Sequence, residues 1–153
     1  MKDFFKRNRH QVLKWGQTGL ILLVFYFVNV EVQSFFGRRA VEATGLQIHT
    51  LNDALTKSEK DNKLVFVDMS AIWCSACRTF DNRVLTNETV KRTINDGFVY
   101  SRIEYESEEG EAFMEKYQVS AYPTLMILNP QGDVVKHLNV TFSPGVFLRQ
   151  LKM

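Results

Sequence analysis

The chain has two cysteines, Cys74 and Cys77, and both fall within "VDMSAIWCSACRTF", Val67 to Phe80. This stretch constrains the fold because the residue pattern changes character inside it. The run "KLVFVDM" (63–69) is continuous and apolar, as suits a parallel strand buried on both faces. From Cys74 the spacing turns helical and puts Cys77, Phe80, Val84 and Leu85 on one face. A strand that runs into a helix at a Cys-x-x-Cys places the first sulfur at the helix N-terminus, where unpaired N–H groups and the helix dipole favour a thiolate. The second sulfur lies one turn along, close enough to attack a mixed disulfide formed on the first. Cys74 is therefore expected as the exposed nucleophile and Cys77 as the buried resolving thiol. Zinc ligation and an inert structural disulfide are the competing uses of such a pair. Zinc requires two more ligands, and His10, His49 and His137 are scattered with no ligand spacing, so no metal is expected. A structural bridge closing so short a loop removes little chain entropy.

On either side of the pair, strand and helix patterns alternate. "LQIHTL" (46–51) reads as a short edge strand and "NDALTKSEKDN" (52–62) as a polar helix. Asn87 is a fresh N-cap for "ETVKRTIN", which Gly97 stops. "FVYSRIEY" (98–105), "TLMILN" (124–129) and "VVKHLNV" (134–140) are further strands, the last two joined by the turn "PQGD". "EEGEAFMEKY" (108–117) is a helix, and a last helix starts at Ser143 as cap with Pro144 at its first position. The order β-α-β-α-β-α-β-β-α predicts an α/β fold, a central mixed β-sheet flanked by helices. The acids Glu104, Glu106, Glu108, Glu109 and Glu111 read as a solvated face near a helix N-terminus.

The N-terminal third has a different composition. Residues 1–14 carry Lys2, Lys6, Arg7, Arg9 and Lys14 against Asp3 alone, and the apolar run "GLILLVFYFVNV" (19–30) follows. Residues 44–153, with 12 basic and 14 acidic side chains, form no basic stripe, which argues against nucleic-acid binding. Trp15 to Phe36 is 22 residues with aromatics at both edges, enough for one transmembrane helix. Three readings compete for it: an uncleaved signal anchor, a cleaved signal peptide, or a buried helix of a soluble domain. The nearest small-x-small site, Val41-Glu42-Ala43, lies 13 residues past Val30, which favours the anchor. The expected division is a cytoplasmic basic tail (1–14), a signal anchor (15–36), a linker (37–45) and a folded domain (46–153), with the N-terminus cytoplasmic under the positive-inside rule.

The residues around the pair resemble the thioredoxin family. "FVDMSAIWCSAC" resembles its strand, buried carboxylate, Trp and Cys-x-x-Cys, and "YQVSAYPTLMILNPQG" its helix end, cis-proline, strand and turn. The chain is similar in particular to the C-terminal thioredoxin-like domain of DsbD and related periplasmic thiol:disulfide interchange proteins. Those also carry a small residue where Ala76 stands and an acid one turn on, where Asp81 stands. Ser75-Ala76 is not the Gly-Pro of cytoplasmic thioredoxins, and Arg78 replaces a more usual lysine.

The resemblance implies a thioredoxin fold and thiol:disulfide oxidoreductase activity, with the Cys74–Cys77 disulfide as the redox group and no cofactor. Trp73 would shield the nucleophile, and Asp68 would accept the proton of Cys77, with Asp81 tuning the same proton. Tyr122, cis-Pro123 and Thr124 would offer backbone groups to a substrate strand. The expected enzyme is a monomer in the bacterial inner membrane with its domain in the periplasm. It would reduce disulfide-containing proteins with electrons from a membrane or extracytoplasmic thiol donor; an oxidase, an isomerase and a redox-inactive binding module remain the alternatives.

Overall fold

Side-chain alternation along β1 (Leu64–Ser70) divides the molecule into two layers about one sheet. In the computed structural model, which describes residues 2–152 and the side chains of 14–152, Val65, Val67 and Met69 join one apolar cluster and Phe66 the other. β1 pairs in parallel with β2 (Phe98–Glu104) and antiparallel with β3 (Thr124–Leu128), and β3 pairs antiparallel with β4 (Val134–Leu138). The strand order is β2-β1-β3-β4, a mixed sheet with β1, the strand that leads to the cysteines, in its interior.

On the first face lie α2 (Leu51–Asp61) and α5 (Glu108–Tyr117), which contribute Ala54 and Phe113 to the core. On the second lie α3 (Ser75–Phe80), α4 (Glu88–Gly97) and α6 (Pro144–Leu151). Phe147 of α6 touches both Phe66 and Phe80 at centroid distances of 5.6 and 5.2 Å. These tilted and edge-on ring contacts join α6 to both β1 and α3. Asn87 caps α4 by accepting from the N–H groups of Thr89 and Val90, as its position predicts. Between α3 and α4, Asp81–Leu85 form a π-helical turn in which the Thr86 N–H reaches the Asp81 carbonyl at 3.0 Å.

Three expectations need correction. Residues 46–51 do not form a strand: His49 makes a single bridge to Ser101, and the Thr50 side chain then caps α2, so Leu51 is drawn into the helix. Ser143 precedes α6 without a side-chain capping bond; its carbonyl accepts from Phe147 N–H instead. Residues 37–45 are not an irregular linker. One helix, α1 (Lys2–Thr44), runs through them and ends where Gly45 adopts φ 63°, a conformation that favours glycine. The polar residues of 37–45 conceal a helical stripe of small ones: Ser34, Gly37, Ala40 and Thr44 are buried, while Arg38 and Arg39 face out. That stripe packs α1 onto α3 and the π-helical turn. The charges of the basic tail, from Lys2 to Arg9, lie outside the described side chains.

Candidate active site

β1 ends at Ser70, and the backbone turns through Ala71, Ile72 and Trp73 before α3 begins. Cys74 is the N-cap: its backbone is extended, its N–H donates to Ala71 O at 2.9 Å, and its Sγ accepts the Cys77 N–H at 3.2 Å. An N–H aimed at the first sulfur stabilises negative charge there when the pair is reduced. Here the two cysteines are joined as a disulfide with their Cα atoms 5.3 Å apart. Cys74 is the more accessible of the two, 8% against 1%, yet it is enclosed rather than open to solvent. The cover comes from an aromatic wall in which Trp73 meets Tyr122 edge-on at 5.5 Å and Tyr122 meets Tyr105 at 4.7 Å. Ala71, Ala76 and the two cysteines complete this apolar cluster.

The loop that carries Trp73 is held from two sides. Glu104, the last residue of β2, accepts the Ile72 N–H through Oε1 at 2.9 Å. On the opposite side Gly37 of α1 comes so close to the Ile72 carbonyl that a β-carbon there would collide with it. Burial raises the Glu104 carboxyl above its ordinary value, although the Ile72 N–H and Arg102 pull the other way. Across the site the Tyr122–Pro123 bond is cis, and Thr124 opens β3 opposite Met69 while its hydroxyl donates to Ala121 O at 2.6 Å.

Beneath this loop lies a buried ionic cluster. Asp68, wholly inaccessible, accepts from Ser70 Oγ on one oxygen and from Tyr100 Oη at 3.0 Å and Arg102 Nη1 at 2.9 Å on the other. The same Nη1 donates to Asp81 Oδ1 at 2.9 Å, so one guanidinium joins β1, β2 and the first residue after α3. The second oxygen of Asp81 is buried with no partner. Burial pushes the Asp81 carboxyl up to about 6, with Arg102 opposing and Asp68 adding to the rise. Burial alone disfavours the Arg102 cation, but Asp68, Tyr100 and Asp81 more than offset it and hold the guanidinium above its usual value. Tyr100 is raised well above its ordinary range by burial and then by Asp68.

The fold thus gathers Cys74, Cys77, Trp73 and Tyr122 into one cluster and links Asp68 to Asp81 through Arg102. Sequence reading missed Arg102, Glu104 and Tyr105. A usable signal existed for Arg102: "LVFVDMS" and "FVYSRIE" each carry one interior charge, of opposite sign, and the parallel register sets Asp68 directly against Arg102. Among the histidines, His49 bridges to β2, His137 stands on β4, and His10 lies outside the described side chains.

The Thioredoxin-like family model matches residues 46–130, more than half of the chain. The chain is 28% identical over 85 residues to the thiol:disulfide interchange protein DsbD of Pasteurella multocida, a match covering 55% of this chain and 15% of that one. It therefore spans about a seventh of that relative's length. A solution structure of a thioredoxin from Thermus thermophilus aligns with a TM-score of 0.64 at 24% identity, over 70% of this chain and 85% of that chain. The oxidised C-terminal domain of DsbD from Neisseria meningitidis aligns at 0.56 and 18% identity, over 67% of this chain and 95% of that one. Both likenesses are of fold, and the matched family model, over more than half of the chain, shows that this chain, with its Cys-x-x-Cys at the start of α3, belongs to the Thioredoxin-like family.

Proposed function

We propose that this chain is a membrane-anchored protein-disulfide reductase acting outside the cytoplasm of a bacterium. The observation that carries the redox assignment is the Cys77 N–H directed at Cys74 Sγ, which favours a thiolate on the first cysteine and leaves the second, at 1% exposure, shielded from outside attack. In the reaction, the Cys74 thiolate attacks one sulfur of a partner disulfide. A Cys74–partner bond forms, the partner's S–S bond breaks, and the released partner sulfur takes a proton. Cys77, losing its proton, then attacks Cys74 Sγ; the mixed disulfide breaks and the second partner sulfur leaves as a thiol. Two electrons and two protons have passed to the partner, and the Cys74–Cys77 disulfide remains for a thiol donor to reduce.

The proton of Cys77 needs an acceptor. Both oxygens of Asp68 are occupied by donors, whereas Asp81, whose N–H bonds to the Cys77 carbonyl within the same turn, keeps one buried oxygen free. A carboxyl near 6 also exchanges protons readily at neutral pH. Asp81 is therefore the better placed acceptor, with Asp68 and Arg102 positioning it. Trp73 and Tyr122 cover the exchanging sulfur, and the backbone at cis-Pro123 and Thr124, where β3 opens, is the surface for a substrate strand.

The anchor reading rests on α1, the one helix among the described residues long and apolar enough to cross a membrane. Reduction, rather than oxidation, is favoured by the resemblance to DsbD and by the absence of histidine between the cysteines. Trapping tests the assignment. Cys77→Ser made in cells and quenched with acid should accumulate mixed disulfides on non-reducing gels, and Cys74→Ser should form several-fold fewer. Equal trapping by both would overturn the roles; trapping by neither would point to a scaffold that binds without exchange.

A further inference from the structure

From Leu20 to Val28 every apolar side chain of α1 is more than half exposed. From Gln33 onward one side of the same helix belongs to the redox site. Gln33 Oε1 accepts from Arg78 Nη1 at 2.6 Å, the Arg78 guanidinium lies 5.9 Å from the Phe36 ring centre, and Gly37 abuts the Ile72 carbonyl. Away from those contacts Val32 and Phe35 stay open at 45% and 50% exposure. A groove of about 250 Å³ runs between the two parts, with Tyr26, Asn29, Val30 and Gln33 as one wall and Trp73 and Glu106 as the other.

These contacts fix the height of the site. Tyr26 and Gln33 are seven steps apart, about 10 Å of helix rise, and Trp73, the neighbour of Cys74, stands level with those turns. No flexible segment separates the lipid-facing part of α1 from the loop it holds. The aromatic pair Phe35–Phe36 followed by exposed Arg38 and Arg39 matches side chains that settle between acyl chains and phosphates. Resting on the anchor reading above, we infer that α1 holds the Cys74–Cys77 site in the outer headgroup layer of the membrane it crosses, so that the disulfides it reduces are carried by proteins of that same membrane. One flank of the site is then lipid, and a disulfide confined to the same layer meets Cys74 at a high effective concentration. The exchange is the one already written, with the partner's disulfide as oxidant.

The full chain carrying Trp15→Phe, which leaves Trp73 as the single tryptophan, is reconstituted in phosphatidylcholine vesicles. Flotation with the vesicles reports the anchor. Trp73 emission should be quenched at least twofold more by spin labels on the headgroup or carbon 5 than by a label at carbon 12. Arg78→Ala, which removes the bond to Gln33, should lessen that quenching. A disulfide in a membrane-inserted helical peptide should be reduced at least tenfold faster than the same disulfide in a soluble peptide. Chains that do not float overturn both the anchor and this inference. Chains that float but show no shallow quenching of Trp73, or that reduce both peptides equally, leave the anchor standing and overturn the inference alone.

Discussion

Asp81 is the residue whose behaviour follows most directly from its surroundings. A carboxyl ordinarily titrating near 3.8 and raised to about 6 prefers its protonated form in the folded state. Its stabilising contribution is complete below pH 3.8 and is lost as pH rises through 6, a difference of about 3 kcal/mol at roughly 1.4 kcal/mol per pKa unit. Asp81→Asn removes that titration and should flatten the fall in stability between pH 4 and 7, read from urea unfolding of the oxidised protein; an unchanged slope would refute the burial argument. The residues whose meaning lay in local chemistry were legible from sequence: Cys74 and Cys77 from their place at a strand-helix junction, and the turn after β3 from its residues. Gly132 there takes φ 84°, and Asn129 Oδ1 accepts from both Gln131 and Asp133. Asp68 was legible as a buried carboxylate, but the partners that saturate it were not, because Tyr100 and Arg102 come from a strand more than thirty residues away.

At the scale of elements, the loop between β1 and α3 is secured by contacts that local pattern does not reveal. The acids from Glu104 to Glu111 read as a solvated face, yet two of them accept backbone N–H groups from distant segments. Glu104 accepts Ile72 N–H, and Glu109 Oε1 accepts Leu51 N–H at 2.6 Å, at the start of α2. Glu104→Ala leaves the Ile72 N–H without its acceptor and should cost about 1–3 kcal/mol of stability. It should also speed hydrogen exchange at Ile72, whereas Glu104→Gln, which keeps an accepting oxygen, should stay near the parent; equal protection in all three would mean the bond does not hold the loop. The strand expected at 46–51 that does not form and the missed helix at 37–44 share a cause. Short segments are decided by what they pack against, and a glycine such as Gly37 looks like a breaker until its close approach to Ile72 is known.

The whole molecule is a sheet-and-helix domain whose redox face is partly built by a helix that extends far beyond it. α1 has 43 residues, about 65 Å at 1.5 Å per residue, roughly twice what a bilayer's apolar core requires. Its N-terminal end is charged and its C-terminal end is consumed by contacts with α3, so under the proposed anchoring the run from Trp15 to about Val30 is the part left for lipid. Charge then sets direction: residues 1–14 carry a net +4, and such an excess stays on the cytoplasmic side. On the proposed anchor reading, Phe35, Phe36 and the docked domain lie on the other. A reporter enzyme that folds only outside the cytoplasm should therefore be active when fused after Met153, and a reporter that works only in the cytoplasm should be silent there. Replacing Lys6, Arg7 and Arg9 with Gln should lower the first signal and raise the second, since it weakens the charge that fixes orientation. Activity of the cytoplasmic reporter in the unaltered fusion would reverse the topology and leave the dithiol facing a compartment where thiols are kept reduced.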